Sequence, residues 1–232
     1  MAATRDFAPI VKAILAEMSQ SHAIHEIRVT ETLLDLGISP DLIPELALRL
    51  YRTVGGSMSG DYRDFADSLA VGSDSTVRDI AAHFARASSG PETVAAGERR
   101  SGRRGAPKAS NHPPPAAPAG DLPADRGRDV ETAVLVAVAG ASRTHSFEEI
   151  QPNHTLGQLG LDDVDFADVR NRVYRMLSSA RMRPPFLQYC TEMKIAAATT
   201  IGDVVAMART AFQPLHAADI AGAGAQGVGH AN

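Results

Sequence analysis

Shifted by 123 positions, the first 87 residues of this chain lie over residues 129–214, apolar on apolar. Phe7, Ile10, Val11, Ile14 and Leu15 fall on Val130, Ala133, Val134, Ala137 and Val138. Thr32-Leu33 fall on Thr155-Leu156, and Leu36-Gly37-Ile38 on Leu159-Gly160-Leu161. Leu46, Leu50, Tyr51 and Arg52 meet Val169, Val173, Tyr174 and Arg175. After one residue of slip, Thr76-Val77 and Asp79-Ile80 meet Thr200-Ile201 and Asp203-Val204. A constant offset over this length reads as a tandem duplication, so one fold has to serve both copies.

Between the copies the composition changes abruptly. Residues 88–128 hold seven of the 14 prolines, six glycines and no aromatic residue, with Val94 and Leu122 the only large aliphatics. Such a segment buries too little surface to offset its ordering entropy, so it is expected to be a disordered linker. Its arginines cluster in "ERRSGRRGAPK", which reads as a solvated spacer. The expected organisation is a helical domain over 1–87, the linker over 88–128, a second domain over 129–214 and a flexible tail over 215–232.

Each copy reads as four helical pieces. Phe7, Ile10, Val11, Ile14, Leu15 and Met18 have the spacing of an amphipathic helix with one buried face. A second helix is predicted from about Pro40 to Val54, with Ser39 as its N-cap and proline at the first helical position. Pro44 would draw the start towards itself. "DYRDFADSLAVG" and "PPFLQYCTEMKIA" each supply a short third helix. Thr76, with Asp79 three residues on, caps a last one. In copy two, Ala133, Ala137 and Ala141 replace Ile10, Ile14 and Met18, which predicts a thinner first helix and a less stable second domain. The expected fold class is all-α, as two small four-helix bundles.

Composition narrows the function. A net charge of −4 favours neither nucleic acid nor an anionic membrane as partner. Cys190 is the only cysteine, so no intramolecular disulfide forms and a cytoplasmic setting is expected. No apolar run approaches the ~20 residues that span a bilayer, and Lys12 and Glu17 interrupt the apolar N-terminal stretch. His22 and His25 lack the companions of a metal site. There is no glycine-rich phosphate loop and no Gly-x-Ser-x-Gly elbow, and Asp162-Asp163 are adjacent rather than facing. The chain is expected to be no enzyme, with no catalytic residue and no metal.

The order of a long helix, a long loop, an acidic "LG[IL]" turn into a second helix and a closing "[ST]-[VI]-x-[DE]-[IVL]" helix resembles an acyl carrier protein. Each copy resembles it separately over most of its length. That family's motif is "D-L-G-x-D-S-L", and its serine carries phosphopantetheine at an exposed helix tip. Copy two reads Leu159-Gly160-Leu161-Asp162-Asp163-Val164-Asp165, with Asp163 at the serine position. Copy one reads Asp35-Leu36-Gly37-Ile38-Ser39-Pro40-Asp41, with Pro40 there. The resemblance therefore implies two acyl-carrier-like bundles whose attachment positions, Pro40 and Asp163, are degenerate, and no cofactor. It further implies a non-catalytic binding or adaptor protein whose protein partners are enzymes of fatty-acid or polyketide metabolism. Helix two is the family's partner-reading surface, which here singles out Asp162, Asp165, Asp168, Arg172 and Arg175 in copy two and Arg49 and Arg52 in copy one. The alternative is a working carrier modified with phosphopantetheine at Ser39, one residue early, or at Ser68 in a literal "DSL".

Overall fold

The computed structural model describes residues 6–54, 61–69, 71–88, 123–142, 144–179 and 183–212. Most of the expected linker and all of the expected tail lie outside them. The helices are α1 (Ala8–Ser19), α2 (Ile43–Val54), α3 (Tyr62–Ser68), α4 (Val77–Ser88), α5 (Pro123–Ala141), α6 (Asp163–Leu177), α7 (Phe186–Glu192) and α8 over 201–212. A 3-10 turn, Pro40–Leu42, precedes α2. Among the described residues there is no strand, only the isolated bridges Thr32–Thr76 and Thr155–Thr200. The chain is all-α.

Two boundaries differ from expectation. The α-helix starts at Ile43 rather than Pro40. Had it begun earlier, the Pro44 ring would press on the Pro40 carbonyl four residues back, and the 3-10 turn relieves this. Helix α5 begins at Pro123, inside the segment expected to be linker, with proline at the first helical position where its missing N–H costs nothing.

The repeat is written into the hydrogen bonds. Leu33 N donates to Ser75 O and Ile38 N to Leu33 O, and Leu156 N donates to Thr199 O and Leu161 N to Leu156 O in the same places. Val77 N and Arg78 N donate to Glu31 O and Val29 O, matched by Ile201 N and Gly202 N to His154 O and Pro152 O. Gly37 and Gly160, at φ +71° and +73°, make the same left-handed turn. Thr76 and Asp79 exchange side-chain to backbone bonds at 3.0 and 3.2 Å, as do Thr200 and Asp203 at 3.1 Å each, so both closing helices start from a reciprocal cap.

The copies pack against each other. One continuous core runs from Phe7 through Ile14, Leu46 and Phe84 to Val134, Val173 and Phe212. Helices α1 and α5 are in contact at its centre, with α6 also on α1 and α2 also on α5. Ile24 N donates to Met176 O at 2.9 Å, and Phe147 N donates to Thr53 O at 2.9 Å. Under the 123-residue shift these two bonds are one bond seen from either side, so the copies face each other across a pseudo-twofold axis. Ala13 and Ala16 on α1 and Ala133, Ala137 and Ala139 on α5 are fully buried. Their small side chains permit close helix approach. The alanines that read as a thin first helix thus lie on a helix enclosed by both copies.

Candidate functional site

The tip of α6 is assembled from the bottom up by the turn before it. Gly160 takes the positive φ that lets Leu161 fold back into the core while the chain emerges at Asp162. Asp162, extended at φ −112° and ψ −176°, is the N-cap. Its carboxylate accepts from Val164 N at 2.8 Å and Asp165 N at 3.1 Å, and the Asp165 carboxylate accepts from Asp162 N at 3.0 Å. The amides of Asp162, Val164 and Asp165 are thereby satisfied by the chain's own carboxylates. Asp163, the first helical residue, is exposed, and Val164 beside it is 77% exposed. A carboxylate at Asp163 offers no hydroxyl for a phosphodiester.

The copy-one tip has the same frame with different chemistry. Ser39 takes the N-cap conformation at φ −75° and ψ 156°, yet its side chain makes no capping bond. The role read from sequence, a hydroxyl capping the helix, is not the one it plays. Pro40 opens the 3-10 turn, and Ser39, Pro40 and Asp41 are all exposed. Ser68 is the last residue of α3, about a turn and a half past its start, and its side chain lies outside the described residues.

The residues singled out on helix two divide. Asp162, Asp168, Arg52 and Arg175 are exposed, and Asp165 is half-buried in the cap. Arg49 is half-buried and Arg172 buried, so neither lies free on the outer surface where the resemblance would set it. Both point inward onto Glu17 of α1, which is 3% exposed: Arg49 Nη1 donates to Oε1, and Arg172 Nη2 donates to Oε2 at 3.1 Å. Arg49 also holds Glu45 at 2.7 Å, and Arg172 lies 3.9 Å from Asp168. Burial alone would lower the Arg49 pKa, but Glu17 and Glu45 outweigh it and hold the guanidinium above its ordinary value. Sequence reading passed over Glu17 as a buried ion-pair partner, although the sequence carried a signal. This glutamate lies three residues after Ile14 and seven after Ile10, so it is a charge on the buried stripe.

Between the C-terminal end of α2 and the N-terminal half of α6 lies a cleft of about 770 Å³. Tyr51, Arg52, His145, Glu149, Asp165 and Asp168 are among the residues that line it. Most of these groups are already engaged. The Glu149 carboxylate accepts from Ser146 N and Oγ at 2.7 and 2.9 Å, and Ser142 Oγ donates to Leu159 O. Beside the middle of α6, burial pushes the Tyr189 phenol pKa up while its hydroxyl donates to Arg170 O at 2.9 Å. Among the described residues no group of three or more His, Cys, Asp or Glu side chains is placed to hold a metal ion. No helix among them is long and apolar enough to cross a membrane. Compared with protein-family models, curated proteins and solved structures, the chain has no match.

Proposed function

We propose that this chain is a non-catalytic binding protein, made of two carrier-like four-helix bundles joined by a linker, that works through its helix-two surfaces. The observation that carries this reading is the α6 tip. Asp162 and Asp165 cap it reciprocally, it is exposed, and Asp163 stands where the carrier family has its modified serine. The exposed Asp162, Asp168, Arg52 and Arg175 are the contact residues, with enzymes of acyl metabolism as the partner class implied by the resemblance. A lone, half-buried Cys190 agrees with a reducing, cytoplasmic setting.

One observation favours a second reading, a working carrier. The Ser39 hydroxyl is exposed and makes no capping bond. Incubation of the full chain with coenzyme A and a promiscuous phosphopantetheinyl transferase, followed by intact-mass measurement, decides between them. The binding-protein reading expects no added mass. A gain of one phosphopantetheine at Ser39 or Ser68 would make the chain a carrier.

A further inference from the structure

Val164, Asp168, Asn171 and Arg175 recur at i, i+4, i+7 and i+11, within an arc of about 60° on the helix surface, and all four are exposed. This stripe is the outermost face of α6, acidic towards its start and basic towards its end. Among the described residues Arg175 has no ion-pair partner. The cleft of about 250 Å³ beside it, lined by Asn171, Tyr174, Arg183 and Phe186 among others, contains no carboxylate. Next to that cleft Phe186 is 46% and Leu187 82% exposed.

Copy one shows that the apolar part is not imposed by the fold. The position of Val164 is held there by Asp41, and that of Leu187 by Arg63, one slip residue being counted. The packing around both is otherwise repeated. Tyr51 meets Tyr62 edge-on at 5.6 Å as Tyr174 meets Phe186 at 5.0 Å. Of the two described helix-two faces, the α6 face is therefore the one that sets both signs of charge beside the exposed Val164, Phe186 and Leu187. A stripe whose charge reverses along its length is complementary to itself when turned end for end.

We infer that the outer face of α6 docks a second copy of this chain, the two α6 helices lying antiparallel about a twofold axis beside Asn171. In that register Asp168 of each copy faces Arg175 of the other, and Val164 falls on the Phe186–Leu187 edge. The proposal rests on the binding-protein reading and names one occupant of its surface. A contact one helix long falls short of the ~800 Å² per partner of a standard interface, so the dimer is weak, with Kd on the order of tens of micromolar. Opposed carboxylates and guanidiniums at its rim make it salt-sensitive.

Sedimentation equilibrium of the full chain tests this. Reversible dimerisation is expected at about 50 mM salt, weakening several-fold at about 500 mM. Asp168→Arg and Arg175→Glu should each raise Kd at least ~10-fold, because each sets like charges face to face. Mixed one to one, the two variants should dimerise again, since each then supplies the charge the other lacks. Should Asp168→Arg disturb Arg172 and fail to fold, Leu187→Ser, at a solvent-facing position, is expected to weaken the dimer instead. A parent that stays monomeric to ~200 µM at low salt overturns the proposal, as do two folded variants whose mixture stays monomeric. Modification of the parent by a phosphopantetheinyl transferase would sink the binding-protein reading without changing the sedimentation result, so the two failures are separable.

Discussion

Gly140 stands 123 positions after Glu17, in the same place on the first helix of its copy, and the guanidinium of Arg172 occupies the space its side chain would fill. A Cβ on Gly140 would lie 2.2 Å from Arg172 Nη1. Arg172 is itself the counterpart of Arg49. Two equivalent arginines thus converge on a single buried carboxylate, and the missing second carboxylate is what lets Arg172 cross over α5 at Gly140 to reach Glu17 of α1.

Gly140→Ala should therefore destabilise the chain. In an ordinary helix interior the same change adds roughly 1 kcal/mol of stability, so the sign is diagnostic. The expected loss is about 1–3 kcal/mol by urea denaturation, because Arg172 must swing off Glu17. In an Arg172→Leu background the loss should largely vanish, the double-mutant coupling expected of two groups that touch.

Glu17→Gln removes the shared acceptor charge while keeping the shape. The part-exposed Arg49 retains Glu45, but Arg172 is left buried with only the distant Asp168. Breaking a buried pair from one side costs about 3–5 kcal/mol, and the lower end applies here. A loss under ~1 kcal/mol would show that water reaches both arginines.

Asp163→Ser tests the tip. The variant reads "GLDSV" with Asp162 still capping, which sets a hydroxyl on the exposed first turn. A phosphopantetheinyl transferase should add one group to it and none to the parent. Pro40→Ser should respond less, since a 3-10 turn and Asp41 follow it. An unmodified Asp163→Ser would mean that a helix two bearing Arg170 and Arg175 is no longer read.

Acid should loosen the reciprocal caps. The hydroxyl and backbone N–H of Thr76 hold the Asp79 carboxyl below its ordinary 3.8, and those of Thr200 do the same for Asp203. A carboxyl lowered by folding contributes stability that is complete above its unfolded value and is lost as pH falls through the folded one. The midpoint temperature should hold from neutral pH down to about pH 5 and decline below about pH 4. Asp79→Asn with Asp203→Asn should make that decline shallower, and an unchanged slope would place the acid-sensitive groups elsewhere.

Limited trypsin should cut first within 89–122, where "ERRSGRRGAPK" supplies arginines and little to bury. From sequence alone the cut is expected to leave two helical fragments. With α1 against α5 and main-chain bonds between the copies, the nicked halves should instead elute together and part only in denaturant. Fragments that separate in native buffer would show the copies to be independent.

Within each copy, much of the local structure was legible in the sequence. Thr76-Asp79 and Thr200-Asp203 announced their caps, and Leu46, Leu50, Val169 and Val173 announced a buried face, because capping chemistry and helical period act over a few residues. What periodicity does not encode is the identity of the surface that covers a face. Ala133 and Ala137 therefore read as lost burial rather than as room for α1, and Arg49 and Arg172 as partner-reading residues rather than as counterions of Glu17. At the tip, Asp162 and Asp163 read as a helix start and lie at the start of α6, whereas the uncapping Ser39 hydroxyl follows from a backbone turn that the sequence does not spell out.

The paired bonds from Ile24 to Met176 and from Phe147 to Thr53 have a further consequence. In a dimer of identical subunits every substitution at the interface arrives twice, on both sides of the axis, and a carboxylate cannot be lost from one side alone. A chain that contains both sides is released from that constraint. Each flank of its axis can drift separately, so a glutamate can persist at position 17 while its counterpart becomes a glycine, and an exposed valine can arise on one helix two while the other keeps an aspartate.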